Sequence, residues 1–183
     1  MSDPVEALVE RAQSGNLPAA SELLAQFYER IFAYFRRLCG SDEDAADLTQ
    51  KAFCKVWLSL ASYHRRAAFN TWLHAIAHHV YVDWRRRQNR LELQTDTWWE
   101  NCIADGPGPF ENVSDRDAAL QLYALVDQLE EEQREVFHLH YYQSLSIQET
   151  ADAMEIATST VKYRLRKGLD LLKSRMTEPK LRG

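Results

Sequence analysis

The chain has 183 residues, 45% of them hydrophobic and 27% charged, with a formal net charge of −5. This suits one medium globular domain or two small ones and excludes a disordered chain. No apolar run approaches the roughly 20 residues of a membrane span, the acidic start Met-Ser-Asp-Pro-Val-Glu lacks a signal-peptide pattern, and Cys39, Cys54 and Cys102 show no Cys-x-x-Cys spacing, so a soluble cytoplasmic protein with reduced thiols is expected.

In chain order, Val5, Leu8, Val9 and Ala12 outline a short helix stopped at Gly15-Asn16. Pro18 suits the first turn of a second helix that buries Leu23, Leu24, Phe27, Ile31, Phe35 and Leu38 and ends at Gly40. Ser41, three residues before Asp44, caps a third helix through Leu60, with Leu48, Ala52, Val56, Trp57 and Leu60 expected inward. A polar, basic turn from Ala61 to Ala68 carries Tyr63. Then Phe69, Trp72, Leu73, Ile76, Ala77, Val80 and Trp84 recur at helical spacing as a buried stripe. Thr71, His74, His78, Tyr81 and Arg85 are expected on the opposite side, and the helix runs out into Arg85-Arg86-Arg87 and Arg90. A core-anchored helix with aromatics at its entrance and arginines at its exit suits melted nucleic acid, which needs stacking surfaces and phosphate neutralisation together.

Periodicity fails from Leu91 to Val113, where Asp105-Gly-Pro-Gly-Pro109 is the strongest breaker cluster. An acidic linker over 91–113 is therefore expected between domains at 1–90 and 114–183, with Trp98 or Trp99 docked on a neighbouring surface. Ser114 caps a helix burying Ala119, Leu122, Leu125, Val126 and Leu129, and a helix from about Glu132 to Tyr142 packs Val136, Phe137 and Leu139. Ser146-Ile-Gln-Glu149 reads as a capping box opening a short helix to Met154. After the turn Glu155-Ile-Ala157, a longer helix runs from Thr158 to about Met176. Short helix, tight turn, longer basic helix is the helix-turn-helix pattern. Val161, Leu165, Leu169, Leu172 and Met176 share its inner arc; Ser159, Lys162, Tyr163, Arg166, Lys167 and Lys173 lie opposite, with Ser159, Lys162, Tyr163 and Arg166 placed to meet base edges and the remaining cations to hold phosphates.

Charge is unevenly spread. Residues 61–90 carry +5 and 157–183 carry +6, whereas 91–120 carry −6 and 121–156 carry −7. Two separated basic blocks suit two contacts with one polyanion. His64, His74, His78 and His79 beside Cys54 suggest a metal site, but the His74–His78 pair supplies two of the four ligands of structural zinc, so no metal is expected. Nor are a cofactor or catalysis, since there is no phosphate loop, no nucleophile motif and no paired-carboxylate arrangement that the helix caps do not already explain.

Asp44-Ala-Ala-Asp-Leu-Thr-Gln-Lys-Ala-Phe-Cys-Lys-Val-Trp57, Phe69-x-x-Trp-Leu-x-x-Ile-Ala77 and the stretch from Leu129 to Leu172, in this order and spacing, resemble bacterial RNA polymerase sigma factors of the extracytoplasmic-function group. The resemblance covers nearly the whole chain. It implies an all-α protein of two small helical domains, sigma domains two and four, that binds core polymerase, recognises the minus-thirty-five element as duplex and melts the minus-ten element. It assigns Asp44, Asp47 and Gln50 to the polymerase clamp. Tyr63 it assigns to capture of an unstacked minus-ten base, and Asn70, His78 and His79 to the melted non-template strand, with Arg85 following on the same helix. Lys162, Tyr163, Arg166 and Lys167, with His140 on the preceding helix, are assigned to duplex DNA. An anti-sigma factor is the further partner implied. Three departures stand out: His79 replaces a frequent Asn, Arg65-Arg66 replace the more usual Gly-acid pair, and Lys51 and Cys54 interrupt the core-binding run. The competing reading is a stand-alone helix-turn-helix regulator with a dimerisation or sensory domain at 1–90. It leaves the N-terminal arginine block and basic aromatic loop unexplained.

Overall fold

The computed structural model describes residues 4–92 and 124–177, with side chains at 4–89 and 124–175. The expected linker core, Trp98, Trp99, Cys102, the Ser114 cap and the positions Ala119 and Leu122 lie outside the described residues, as does the side chain of Met176. What is described is helical, with no strand, and contacts divide the chain into two units.

The first unit holds α1 (Pro4–Gln13), α2 (Leu17–Cys39), α3 (Asp42–Ser59), a single 3-10 turn (Leu60–Ser62) and α4 (Phe69–Glu92). Its breaks follow from capping chemistry. The Asn16 side chain accepts the Ala19 amide at 2.9 Å, with Pro18 in the first turn where its missing N–H costs nothing. Gly40, at φ +74°, ends α2 by donating its amide to the Arg36 carbonyl, and Ser41 then caps α3 over an acidic first turn. α2 packs against α1 and α3, and α4 closes on α3 and α2. Leu23, Phe27, Ile31, Tyr34 and Phe35 of α2, Ala45, Leu48, Ala52 and Val56 of α3, and Leu73, Ala77 and Val80 of α4 are buried together as the core, with Phe27 on Phe69 and Tyr34 on His74.

Two expectations are corrected here. Trp57 faces outward, 42% exposed, because it lies about a third of a turn from the Ala52–Val56 seam. On α4, Thr71, His74 and Tyr81 are buried although expected outside, while Trp72, Ile76 and Trp84 are only half-buried. α4 touches two helices, so its buried arc is wider than one apolar stripe. His74 tolerates burial because its Nδ1–H donates to the Asn70 carbonyl at 2.8 Å and its ring meets Tyr34 edge-on.

In the second unit, residues 124–127 are helical. α5 (Glu131–Phe137) continues through a wider turn at His138–Tyr142, where the Gln143 amide reaches back five residues to the His138 carbonyl at 2.9 Å. α6 (Ile147–Met154) starts on the expected capping box: the Ser146 hydroxyl accepts the Glu149 amide at 3.2 Å, and the Glu149 carboxylate accepts the Ser146 amide at 2.8 Å. Glu155, at φ +55°, closes α6, and α7 (Thr158–Thr177) follows. Val161, Leu165 and Leu172 are buried as expected. Leu169 is not, at 37% exposed; the adjacent Gly168 takes the place against Phe137 of α5.

Candidate nucleic-acid and partner interfaces

The turn between α3 and α4 is built around Tyr63. Its ring lies 4.8 Å from Trp72 and 5.6 Å from Phe69, between centroids, and its hydroxyl donates to the Ala67 carbonyl at 2.7 Å. Only 8% of Tyr63 is exposed, and burial pushes its phenol above the ordinary value. Tyr63, expected to help capture an unstacked base, is thus packed against Trp72 and meets Phe69 edge-on, with little of its ring open to solvent. Trp72, expected as core, is the more accessible member of the cluster. His64, Arg65 and Arg66, which follow Tyr63 in the chain, are exposed basic-block residues. Arg65 has φ +56°, a left-handed backbone that costs a residue with a Cβ about 1–2 kcal/mol. This explains why glycine is usual at such a position, and here the Arg65 guanidinium is held by Glu10 of α1 at 2.8 Å.

Along α4, at about 100° per residue, Asn70 and His79 fall on opposite sides. Asn70 is half-buried with its Oδ1 enclosed, His78 is half-buried and His79 is exposed, so the structure does not bring these three onto one face. The outward strip instead runs through Trp72, Ala75, His79, Val82, Asp83 and Arg86, with Arg85 half-buried at its side. Trp72 and Arg86 are thus the strip residues sequence reasoning missed. Three- and four-residue spacing applied to the polar side would have found them.

On α3, Asp47 and Gln50 are exposed and Asp44 is half-buried. Asp47 pairs with Lys51 one turn on. The same arc carries Cys54, Trp57 and Leu58, the last 82% exposed, and α2 adds Tyr28, whose ring neighbours Phe32 and Phe53. Polar at one end and aromatic at the other, this surface has the composition of a protein interface. Trp57, Leu58 and Tyr28 were not among the expected site residues.

On α7, Ser159, Lys162, Tyr163 and Arg166 share an exposed arc, with Tyr163 at 64%. Lys167 stands apart, bonded to Glu130 at 3.2 Å, and Arg164 beside it is bonded to Glu132. These pairs brace α7 against the start of α5. His140 is half-buried; its Nδ1–H donates to the Leu145 carbonyl at 2.7 Å, so the ring holds the turn before α6 while neighbouring Tyr141 is 43% exposed. Among the described residues no three His, Cys, Asp or Glu side chains gather as a metal site, and no helix is long and apolar enough to cross a membrane.

Comparison with known proteins matches residues 23–91 to Sigma-70 region 2 and residues 119–172 to Sigma-70 region 4. The chain is 30% identical over 154 residues to the ECF RNA polymerase sigma factor SigX of Bacillus subtilis, covering 82% of this chain and 79% of that one. It is 29% identical over 158 residues to the ECF RNA polymerase sigma factor SigE of Mycolicibacterium smegmatis, covering 86% of this chain and 61% of the relative's length. Among solved structures, the fold is similar to the sigma factor RpoE of Bartonella quintana in complex with the anti-sigma factor NepR (TM-score 0.72, 19% identity, 87% and 98% of the two chains). It is also similar to CnrH in complex with the cytosolic domain of CnrY (TM-score 0.68, 23% identity, 95% and 97%).

Proposed function

Since this chain belongs to the extracytoplasmic-function group of RNA polymerase sigma factors, we propose that it is a transcription initiation factor that joins core RNA polymerase and directs it to specific promoters. Residues 1–90 act as the polymerase-binding and minus-ten domain, 91–113 as the linker and 114–183 as the minus-thirty-five domain. The carrying observation is that the two units present chemically different surfaces. One has an aromatic cluster with exposed His64, Arg65 and Arg66 following Tyr63 in the chain, suited to unstacked bases; the other has an open, cationic helix suited to a major groove. A regulator that reads duplex alone needs only the second.

In this reading Asp44, Asp47 and Gln50 meet the polymerase clamp, and Trp57 and Leu58 extend that contact as its apolar anchors. His79 and Trp72 face the melted strand from the outward strip of α4, with His78, Arg85 and Arg86 beside them. Asn70 and Tyr63 support the strand-facing surface from within. On α7, Ser159, Lys162, Tyr163 and Arg166 meet the duplex, and Lys167 and His140 fix the geometry that presents them. An anti-sigma factor covering the apolar end of the α3 surface would compete directly with polymerase. The protein works in the cytoplasm and catalyses no reaction of its own.

Reconstitution tests this. The purified chain with core polymerase is expected to form holoenzyme and to give permanganate-reactive thymines at its promoters. Failure to form holoenzyme, together with tight binding of the chain alone to a palindromic duplex, sinks the proposal.

A further inference from the structure

We infer that Gln13 and Glu10 of α1 are positioning residues for the basic aromatic loop, so that α1, distant in sequence, sets the shape in which the loop meets the melted strand. This inference rests on the sigma-factor reading. The Gln13 side-chain amide donates to the Leu60 carbonyl at 2.9 Å and to the Tyr63 carbonyl at 2.8 Å, spanning both ends of the 3-10 turn with one group. The Leu60 carbonyl also accepts the Tyr63 amide at 3.1 Å, so both acceptor positions of that carbonyl are used. Glu10, one helical turn earlier and on the same side of α1, holds the Arg65 guanidinium at 2.8 Å.

The two contacts act on the two unstable features of the loop. Gln13 fixes a turn too short to hold itself through repeating helical bonds. Glu10 holds a residue whose left-handed backbone is disfavoured for any side chain but glycine. Between them lies Tyr63, packed on Trp72, whose outer surface and the neighbouring cations offer stacking and phosphate neutralisation to a single strand. A small displacement of the turn moves Tyr63, and with it the Trp72 surface, without disturbing the core contacts of α2 with α3. α1 therefore governs strand capture while touching no nucleic acid itself.

The test uses holoenzyme carrying Gln13→Leu, Glu10→Ala, Arg65→Gly or Glu10→Ala with Arg65→Gly, on promoters bearing single substitutions across the minus-ten element. Closed-complex affinity, opening rate by permanganate reactivity and thermal midpoint of the free chain are measured. Loss of both Gln13 bonds is expected to slow opening about tenfold. Closed-complex affinity is expected to stay within about twofold of wild type, while base preference flattens at one minus-ten position. Glu10→Ala is expected to slow opening by itself yet to have no further effect alongside Arg65→Gly, because glycine takes the left-handed backbone unaided. Unchanged opening in Gln13→Leu, a loss equal at every minus-ten position that follows the thermal midpoint, or an undiminished Glu10→Ala effect alongside Arg65→Gly would each overturn the inference alone. A wild-type chain that opens no promoter overturns the sigma reading and the inference with it.

Discussion

Gly168→Ala should destabilise the C-terminal unit, although alanine is the better helix former. A Cβ at this position would lie 2.5 Å from Phe137 Cε2, 3.1 Å from Cζ and 3.3 Å from Cδ2. Carbon atoms prefer roughly 3.5–4.0 Å, so the nearest contact overlaps by about 1 Å. Phe137 is 3% exposed and packs on Tyr141, so its ring has little space into which to retreat. Overpacking of this kind costs about 1–3 kcal/mol, while removing a helical glycine gains about 1 kcal/mol. The net expectation is a loss of about 1 kcal/mol, or a fall of roughly 4–8 °C in midpoint for a unit of this size. The assay exploits composition: no tryptophan lies between residues 105 and 183. In a Trp98→Phe, Trp99→Phe background, tryptophan fluorescence during urea unfolding reports on the first unit through Trp57, Trp72 and Trp84, and far-ultraviolet circular dichroism on both. Gly168→Ala should shift the dichroism transition and leave fluorescence unchanged. Alongside Phe137→Leu the same substitution should become neutral or stabilising. A gain of about 1 kcal/mol in the wild-type background would refute the packing argument, because helix propensity would then have won.

Arg166→Ala should cost about 1–3 kcal/mol of promoter affinity and relax duplex specificity, whereas Lys167→Ala should cost less than about 1 kcal/mol because its ammonium is already paired with Glu130; equilibrium binding of holoenzyme to minus-thirty-five variants separates them. Trp57→Ala should leave the folding midpoint within about 0.5 kcal/mol, since the ring is exposed, yet weaken core polymerase binding by about 2 kcal/mol, with a stability loss larger than the binding loss counting against the interface. Burial raises the Cys39 thiol from 9.0 to about 11, so in a Cys102→Ser background iodoacetamide at pH 8 should label exposed Cys54 and spare Cys39. A folded value above the unfolded one means that this contribution to stability is complete below about pH 9 and lost as pH rises towards 11; equal labelling of both thiols at pH 8 would contradict it.

Helix boundaries were legible where local chemistry decides them. Asn16, Gly40, Ser41 and the Ser146–Glu149 box each act through neighbouring backbone groups, and their signatures are contiguous in sequence. Facing was legible on α2, where the apolar residues themselves mark the buried positions. On α4 polar and aromatic-polar residues share the buried arc, and a single-stripe reading left His74 and Tyr81 outside and Trp72 within. The same difficulty explains Tyr63. Sequence places an aromatic in a basic turn, but whether its ring is open or packed depends on Phe69 and Trp72 folding back onto it. On α7 the exposed arc of Ser159, Lys162, Tyr163 and Arg166 was visible from periodicity, whereas the diversion of Lys167 to Glu130 spans 37 residues and leaves no local trace. The α1 contacts with the loop are equally non-local, at separations of 47 to 55 residues.

The ion pairs of Arg164 and Lys167 with Glu132 and Glu130 also bear on how the factor behaves towards DNA in bulk. Each phosphate neutralised by a protein cation liberates condensed counterions, and the logarithm of affinity falls with the logarithm of salt at a slope of about −0.9 per contact. Counting cations along α7 would suggest a steep slope. Two of them are already matched by carboxylates, so the slope should fall short of that count by about 2, and neutralising Glu130 and Glu132 together should restore it. In the proposed duplex contact, the acidic start of α5 would lower the helix's affinity for arbitrary duplex while leaving base-edge contacts in place. In a cell crowded with non-specific sites, that trade would keep the unbound factor from being titrated away before it meets polymerase.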